Sequence, residues 1–231
     1  MLFRSSLKAR WLDGEGYARA VMRKYTWRAF FTQRYERTTN QRALSDYHEL
    51  KALIQKQTAS CPVIFDDAQY PLPRAEDLAL AGWPKKKERL ARAILALSLK
   101  QGGLDLADGG TVTRASLAQR EYHHLFPNSL LKGRSVPDDK IYIALNCALV
   151  TWNTNRNISN KDPERYLAER RNGTGAGETE VRARLASHLV PYDEMVAGNY
   201  DAFLLRRASM MHNAMLNVCG ATLKSPADMM V

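Results

Sequence analysis

The sequence predicts a mainly helical α+β protein carrying a small β-containing insert. Two observations carry this. Apolar residues recur at near-helical spacing toward both ends of the chain, and the middle, around residues 119–165, breaks that spacing with an extended-looking stretch and an Asn- and Pro-rich run. No internal repeat interrupts the pattern.

The elements follow in order. Residues 15–57 read as helical, with Tyr17, Val21, Tyr25, Trp27, Phe30, Phe31 and Tyr35 forming a broad apolar stripe. Such a stripe is more often core than a base-stacking surface. Thr39 or Asn40 is placed to cap a second helix bearing Leu44, Tyr47, Leu50, Leu53 and Ile54. Residues 58–83 contain Pro62, Pro71, Pro73 and Gly82 and read as an irregular connector, with a short strand expected at Val63–Phe65. Pro84 stands where a first-turn proline is tolerated, ahead of a basic amphipathic helix that runs from Lys85 through Arg92 and Ile94 to Leu99. Gly102-Gly103 ends that helix, and Gly109-Gly110 marks a turn. Asn172 to Gly177 reads as a flexible linker, since it lacks the spacing of a phosphate-binding loop. Helices resume at 178–189 and 199–219.

Charge narrows the partners. The 231 residues hold 34 Lys and Arg against 24 Asp and Glu, a formal net charge of +10, which suits a polyanion such as DNA. The three cysteines, Cys61, Cys147 and Cys219, are far apart and form no CxxC pair. They exclude a disulfide framework and a four-cysteine zinc site, and read as buried thiols of a reducing, cytoplasmic compartment. The N-terminal stretch has no apolar region of a secretory signal, and no run approaches membrane-span length, so no membrane partner is expected.

The candidate chemistry lies in Arg120-Glu121-Tyr122-His123-His124-Leu125-Phe126-Pro127. Two adjacent histidines on an extended segment turn to opposite faces, so one can hold a metal while the other acts as a base. Leu125 and Phe126 would anchor the stretch to a core, and Pro127 would end it. Downstream, Asn155 can supply a neutral oxygen ligand of the kind that suits Mg²⁺ or Mn²⁺. A tight structural zinc would want four protein ligands, so Zn²⁺ fits less well. Phosphodiester hydrolysis needs a polarised phosphoryl oxygen, a deprotonated water and a stabilised leaving group; a divalent cation serves the first and third needs and an imidazole the second. The bland alternative is two histidines packed on a hairpin. His48, His188 and His212 lie in helical segments and read as structural, and Asn153, Asn157 and Asn160 as turn residues.

Residues 119–167 resemble an HNH (ββα-metal) nuclease domain, and in particular the C-terminal nuclease domain of GmrSD-type modification-dependent restriction enzymes. The resemblance rests on His123-His124-Leu125-Phe126-Pro127-Asn128-Ser129-Leu130, Asn146-Cys147-Ala148-Leu149, Thr154-Asn155-Arg156, Ile158-Ser159-Asn160-Lys161 and Pro163-Glu164-Arg165-Tyr166. Upstream, Trp27-Arg28-Ala29-Phe30-Phe31, Arg34-Tyr35-Glu36 and Gly82-Trp83-Pro84-Lys85 are similar to what precedes this nuclease in such proteins. The resemblance implies a ββα-metal insert, with a helical scaffold over 1–110, a nuclease core over 111–172 and C-terminal helices over 173–231 packing on the scaffold as one compact unit. It implies His123 and Asn155 as metal ligands, His124 as general base, Asn146 as a brace for the loop, and Arg156 and Lys161 as phosphate contacts. The position of Asn155 is His in the name of the motif, and many relatives have Asp where this chain has His123, which leaves no carboxylate among the implied ligands. The implied activity is DNA nicking in restriction or anti-phage defence, gated by an N-terminal nucleotide-using domain or subunit of which this sequence shows no Walker-type loop. The alternative is a non-catalytic DNA-binding or docking module with a decayed site.

Overall fold

A computed structural model describes residues 3–58, 60–84, 88–117, 120–151, 154–155, 160–173 and 177–220. The chain divides into two compact units, one of Met1–Pro73 with Met215–Val231, the other of Arg74–Ala214. Helices predominate, and the named strands form a single two-stranded antiparallel sheet, as the sequence leads one to expect of a mainly α, α+β chain. The units divide the chain at different places from the boundaries at 110/111 and 172/173 suggested by the motif.

The first unit is built on α1 (Phe3–Phe31) and α2 (Thr39–Ile54). Tyr17, Val21, Leu50, Ile64 and Phe65 form its core; of the apolar stripe Tyr17, Val21, Trp27 and Phe31 are buried, whereas Phe30 is exposed. The turn between the helices passes through Thr38 at φ 48°, in the left-handed region, and α2 has no side-chain cap; the Thr39 hydroxyl instead donates back to the Tyr35 carbonyl at 3.0 Å. Val63–Phe65 is a 3₁₀ turn, not a strand. Its apolar side chains are held by burial of Ile64 and Phe65, and its backbone by the buried Arg28, whose Nε donates to the Ile64 carbonyl at 2.6 Å. Leu44 and Tyr47 of α2 are 59% and 57% exposed. Asp46 between them is fully buried, because Arg34 and Tyr35 both donate to its carboxylate. Cys61 is exposed, against the expectation of a buried thiol, while Cys147 and Cys219 are buried.

The second unit holds α3 (Ala75–Ala79), α4 (Arg89–Lys100), α5 (Arg114–Leu117), β1 (Arg120–His124), α6 (Asn128–Gly133), α7 (Asp138–Ile141), β2 (Cys147–Thr151), α8 (Pro163–Gly173), α9 (Gly177–Ala186), α10 (Tyr192–Val196) and α11 (Tyr200–Cys219), whose last turn counts with the first unit. The amphipathic α4 is present and buries Ala91, Ile94, Leu95 and Leu97, but it begins at Arg89 with Glu88 as its N-cap, so Pro84 precedes it. Lys85, Lys86 and Lys87 lie outside the described residues. Gly102 follows at φ 97°, the left-handed geometry that lets a helix stop at glycine. At the far end, Asn172 and Gly173 complete α8 and are not part of a linker. β1 and β2 pair with Arg120 opposite Thr151 and His124 opposite Cys147. Beneath them lies one core of Leu125, Phe126, Leu131, Ile141, Val150, Tyr166, Leu185 and Phe203. Strand pairing and this apolar floor fix where the end of β1 sits.

Candidate functional site

The site forms where β1 leaves the sheet. Successive residues of a strand alternate faces, so Glu121 and His123 share one face and Tyr122 and His124 the other. Leu125 and Phe126 then dive into the core at 3% and 0% exposure, which pins the end of the strand. Asn146 clamps this descent. Its Oδ1 accepts from the Phe126 amide at 2.8 Å, and its Nδ2 donates to the carbonyls of Phe126 at 3.1 Å and Ile141 at 3.2 Å. The Leu125 amide donates to the Asn146 carbonyl at 2.9 Å. All three side-chain bonds go to backbone and the side chain is fully buried, so Asn146 is a positioning residue.

A cleft of about 420 Å³ opens beside the strand end, lined by Tyr122, His123, His124, Pro127, Asn128, Asn155 and Asn160. The two histidines turn to opposite faces of β1 yet both reach this cleft. His123 is 6% exposed, and its Nδ1 lies 2.6 Å from Asn155 Oδ1. The other ring nitrogen, Nε2, is buried and has no hydrogen-bond partner among the described residues. Burial holds the His123 imidazole below its ordinary pKa, against the opposing hydrogen bond to Asn155, so the ring is neutral at pH 7. His124 stacks on Trp83, with ring centroids 4.1 Å apart and planes inclined by 20°, and meets Tyr142 edge-on at 5.2 Å. Burial first, and the neighbouring His123 second, push its pKa down to about 4. Its ring is therefore also neutral and able to accept a proton.

Asn155 is placed by a second anchor, Asp105. This carboxylate is 1% exposed and accepts from the amides of Thr151 at 3.2 Å and Ala107 at 2.9 Å, and from the Thr154 hydroxyl at 2.5 Å. Arg120 pairs with it at 3.2 Å. Burial alone would raise its pKa; the bonds from Thr154, Ala107 and Thr151 and the Arg120 charge outweigh that and hold it below the usual carboxylate range. The segment leaving β2 is thus tied down one residue before Asn155.

The structure brings His123, His124 and Asn155 to one cleft and sets Asn146 behind it. Lys161 does not line the cleft; its Nζ pairs with Glu169 at 2.6 Å. Arg156 lies outside the described residues. His188 is buried in the turn after α9, where its Nε2 hydrogen-bonds the Leu104 carbonyl at 2.7 Å, which fits a structural reading. Sequence reasoning passed over Glu121, whose Oε2 accepts from Asn155 Nδ2 at 2.6 Å, although the two-residue period of a strand puts it on the face of His123. It also passed over Trp83 as a neighbour of His124. Trp83 is brought there by the bridge between Gly82 and Ile143 and the Ala144-to-Ala81 backbone bond, a pairing across some sixty residues with no local signature.

Among the described residues no group of three or more His, Cys, Asp or Glu side chains is placed to hold a metal ion. The atoms that could hold one are His123 Nδ1 and Asn155 Oδ1, 2.6 Å apart, which would exchange their mutual contact for the cation. An imidazole and an amide leave most positions of a hard divalent cation to water or phosphate oxygens, which suits a weakly held Mg²⁺ or Mn²⁺.

Comparison with known proteins leaves the family open. No family model matches the chain, and no solved structure matches it. It is 24% identical over 149 residues to an uncharacterized protein of Methanocaldococcus jannaschii. That match takes in 63% of this chain and 24% of the archaeal protein, so the chain spans about a quarter of that relative's length. Among the described residues no helix is long and apolar enough to cross a membrane.

Proposed function

We propose that the chain is a metal-dependent endonuclease of the HNH type that hydrolyses DNA phosphodiester bonds, one strand per site. The observation that carries this reading is the convergence of His123, His124 and Asn155 on one cleft, with the Asn146 clamp behind the strand end. The net charge of +10 favours a polyanionic substrate.

In this reading His124, neutral and at the cleft, takes the proton of the attacking water. Trp83 restrains the plane of its ring. Asn146 holds the Leu125–Pro127 backbone so that both histidines keep their places on β1. His123 and Asn155 would hold the divalent cation, which when bound supplies Lewis-acid polarisation of the phosphate and charge stabilisation of the leaving oxygen. Arg156 and Lys161 remain proposed phosphate contacts, Lys161 in exchange for its bond to Glu169. A role as the effector of a restriction or anti-phage defence system, gated by a nucleotide-using domain or subunit, follows from the resemblance and is part of the same proposal.

The second reading, a DNA-binding or docking module that does not cut, is favoured by the absence of a carboxylate-rich metal cluster among the described residues. A supercoiled-plasmid nicking assay with Mg²⁺, Mn²⁺ or EDTA separates the two, run on the native chain and on His124→Ala. Metal-dependent nicking that the variant loses, with DNA affinity kept, supports the nuclease. DNA binding with no nicking under either metal supports the docking module.

A further inference from the structure

We propose that Glu121 is a positioning residue of this site, fixing the amide of Asn155 so that its oxygen faces His123. The inference rests on the metal reading above and names a residue that reading lacks. Glu121 and His123 stand two apart on β1, on one face of the strand, and the Asn155 amide lies between their side chains. Both contacts are 2.6 Å, one from Asn155 Nδ2 to Glu121 Oε2, the other between Asn155 Oδ1 and His123 Nδ1.

The chemistry of the groups fixes the orientation. An ionised carboxylate only accepts hydrogen bonds, so the amide must turn its NH₂ toward Glu121. The oxygen is then turned toward His123. Without Glu121 the amide could rotate by half a turn and present NH₂, which cannot ligate a cation. Asp105 anchors Thr154 and so fixes the backbone of this segment, but it makes no bond to the Asn155 amide; Glu121 does.

Outer partners that orient metal ligands are worth about 10–100-fold in metal affinity. The test is a Mn²⁺ titration of the full chain without DNA, read by loss of the free-ion electron paramagnetic resonance signal. Glu121→Ala is expected to weaken Mn²⁺ binding by about 10–100-fold, with an unchanged thermal midpoint because the side chain is exposed. Glu121→Gln, which keeps an acceptor oxygen, is expected to recover part of the loss. In an Asn155→Ala background, Glu121→Ala should cost nothing further, since the effect passes through Asn155. Equal Mn²⁺ affinity in the native chain and Glu121→Ala overturns the inference and leaves the nuclease reading standing. A further loss in the Asn155→Ala background overturns action through Asn155. A native chain that binds no Mn²⁺ overturns the metal reading, and the inference with it.

Discussion

His124 lies flat against Trp83, with ring centroids 4.1 Å apart, and this contact both hides the imidazole from water and fixes its plane. A charged ring would lose its hydration there; burial first and the neighbouring His123 second lower the pKa to about 4, and the indole is part of what buries the ring. Removing the indole should reverse this. In the metal-free protein, Trp83→Ala is expected to move the His124 titration midpoint from about 4 up toward the ordinary histidine value, read by NMR of the imidazole carbon-bound protons. Nicking should fall by about 10–100-fold from loss of ring alignment, and Trp83→Phe, which keeps a stacking face, should retain most of both properties. A midpoint that stays put in Trp83→Ala would mean that the indole is not what desolvates the ring.

That contact also shows where sequence reading stops. The alternation of His123 and His124 was legible because a strand imposes it locally, and the resemblance pointed to Asn146 and Asn155, which the structure places behind and in the cleft. Trp83 was not legible as a partner of His124, since a long-range bridge at Gly82 and Ile143 delivers it. Strand period places Glu121 on the face of His123, but its contact with Asn155, 34 residues away, has no local signature. In the first unit, Val63–Phe65 is too short an apolar run for periodicity to separate strand from turn. Leu44 and Tyr47 fit a helical stripe, but the buried Arg34–Asp46 pair takes the inward face of α2 between them.

The second prediction concerns what supports the clamp. Arg207, fully buried, donates to the carbonyls of Leu145 at 2.6 Å and Cys147 at 3.1 Å, on either side of Asn146, and to those of Leu189 and His188, both at 3.2 Å. Burial pulls its pKa down to about 10, so it is still charged at pH 7. Arg207→Met would leave these buried acceptors without donors, at a cost of about 2–5 kcal/mol. Urea unfolding should show a lower midpoint with an unchanged slope. As a control, Arg165→Met, which breaks an exposed pair with Glu169, should leave the urea midpoint nearly unchanged. Equal effects of the two would remove Arg207 from the structural account.

Acid sensitivity gives the third. Burial above all, helped by the Arg207 and Arg120 charges, pushes the His188 imidazole down to about 4 against its bond to the Leu104 carbonyl and the Asp105 charge. Unfolded histidine titrates near 6.5. Between these values the unfolded chain binds more protons than the folded one, so stability rises with pH across the window. The contribution is fully present above about pH 6.5 and is lost as pH falls toward about 4, amounting to about 3 kcal/mol at most. His124 shifts in the same direction, so the comparison that isolates His188 is the native chain against His188→Gln. The variant's unfolding free energy should change less between pH 7 and pH 4.5. Parallel curves for the two proteins would assign the acid loss elsewhere.

Thiol reactivity provides the last. The nucleophile in thiol chemistry is the thiolate, so both exposure and pKa matter. Burial pushes Cys147 and Cys219 up to about 12, despite the opposing charges of Arg207 near the first and Arg28 near the second. Cys61 is exposed. In the native protein at pH 8, Ellman's reagent should therefore modify one thiol promptly, and the other two only on the timescale of unfolding. Cys61→Ser should remove the prompt phase and leave nicking intact, because Cys61 lies in the unit that does not carry the cleft. Addition of denaturant should then expose two thiols in the variant and three in the native chain. Prompt reaction of a second cysteine in the native protein would show that β2 or the end of α11 opens far more readily than its burial implies.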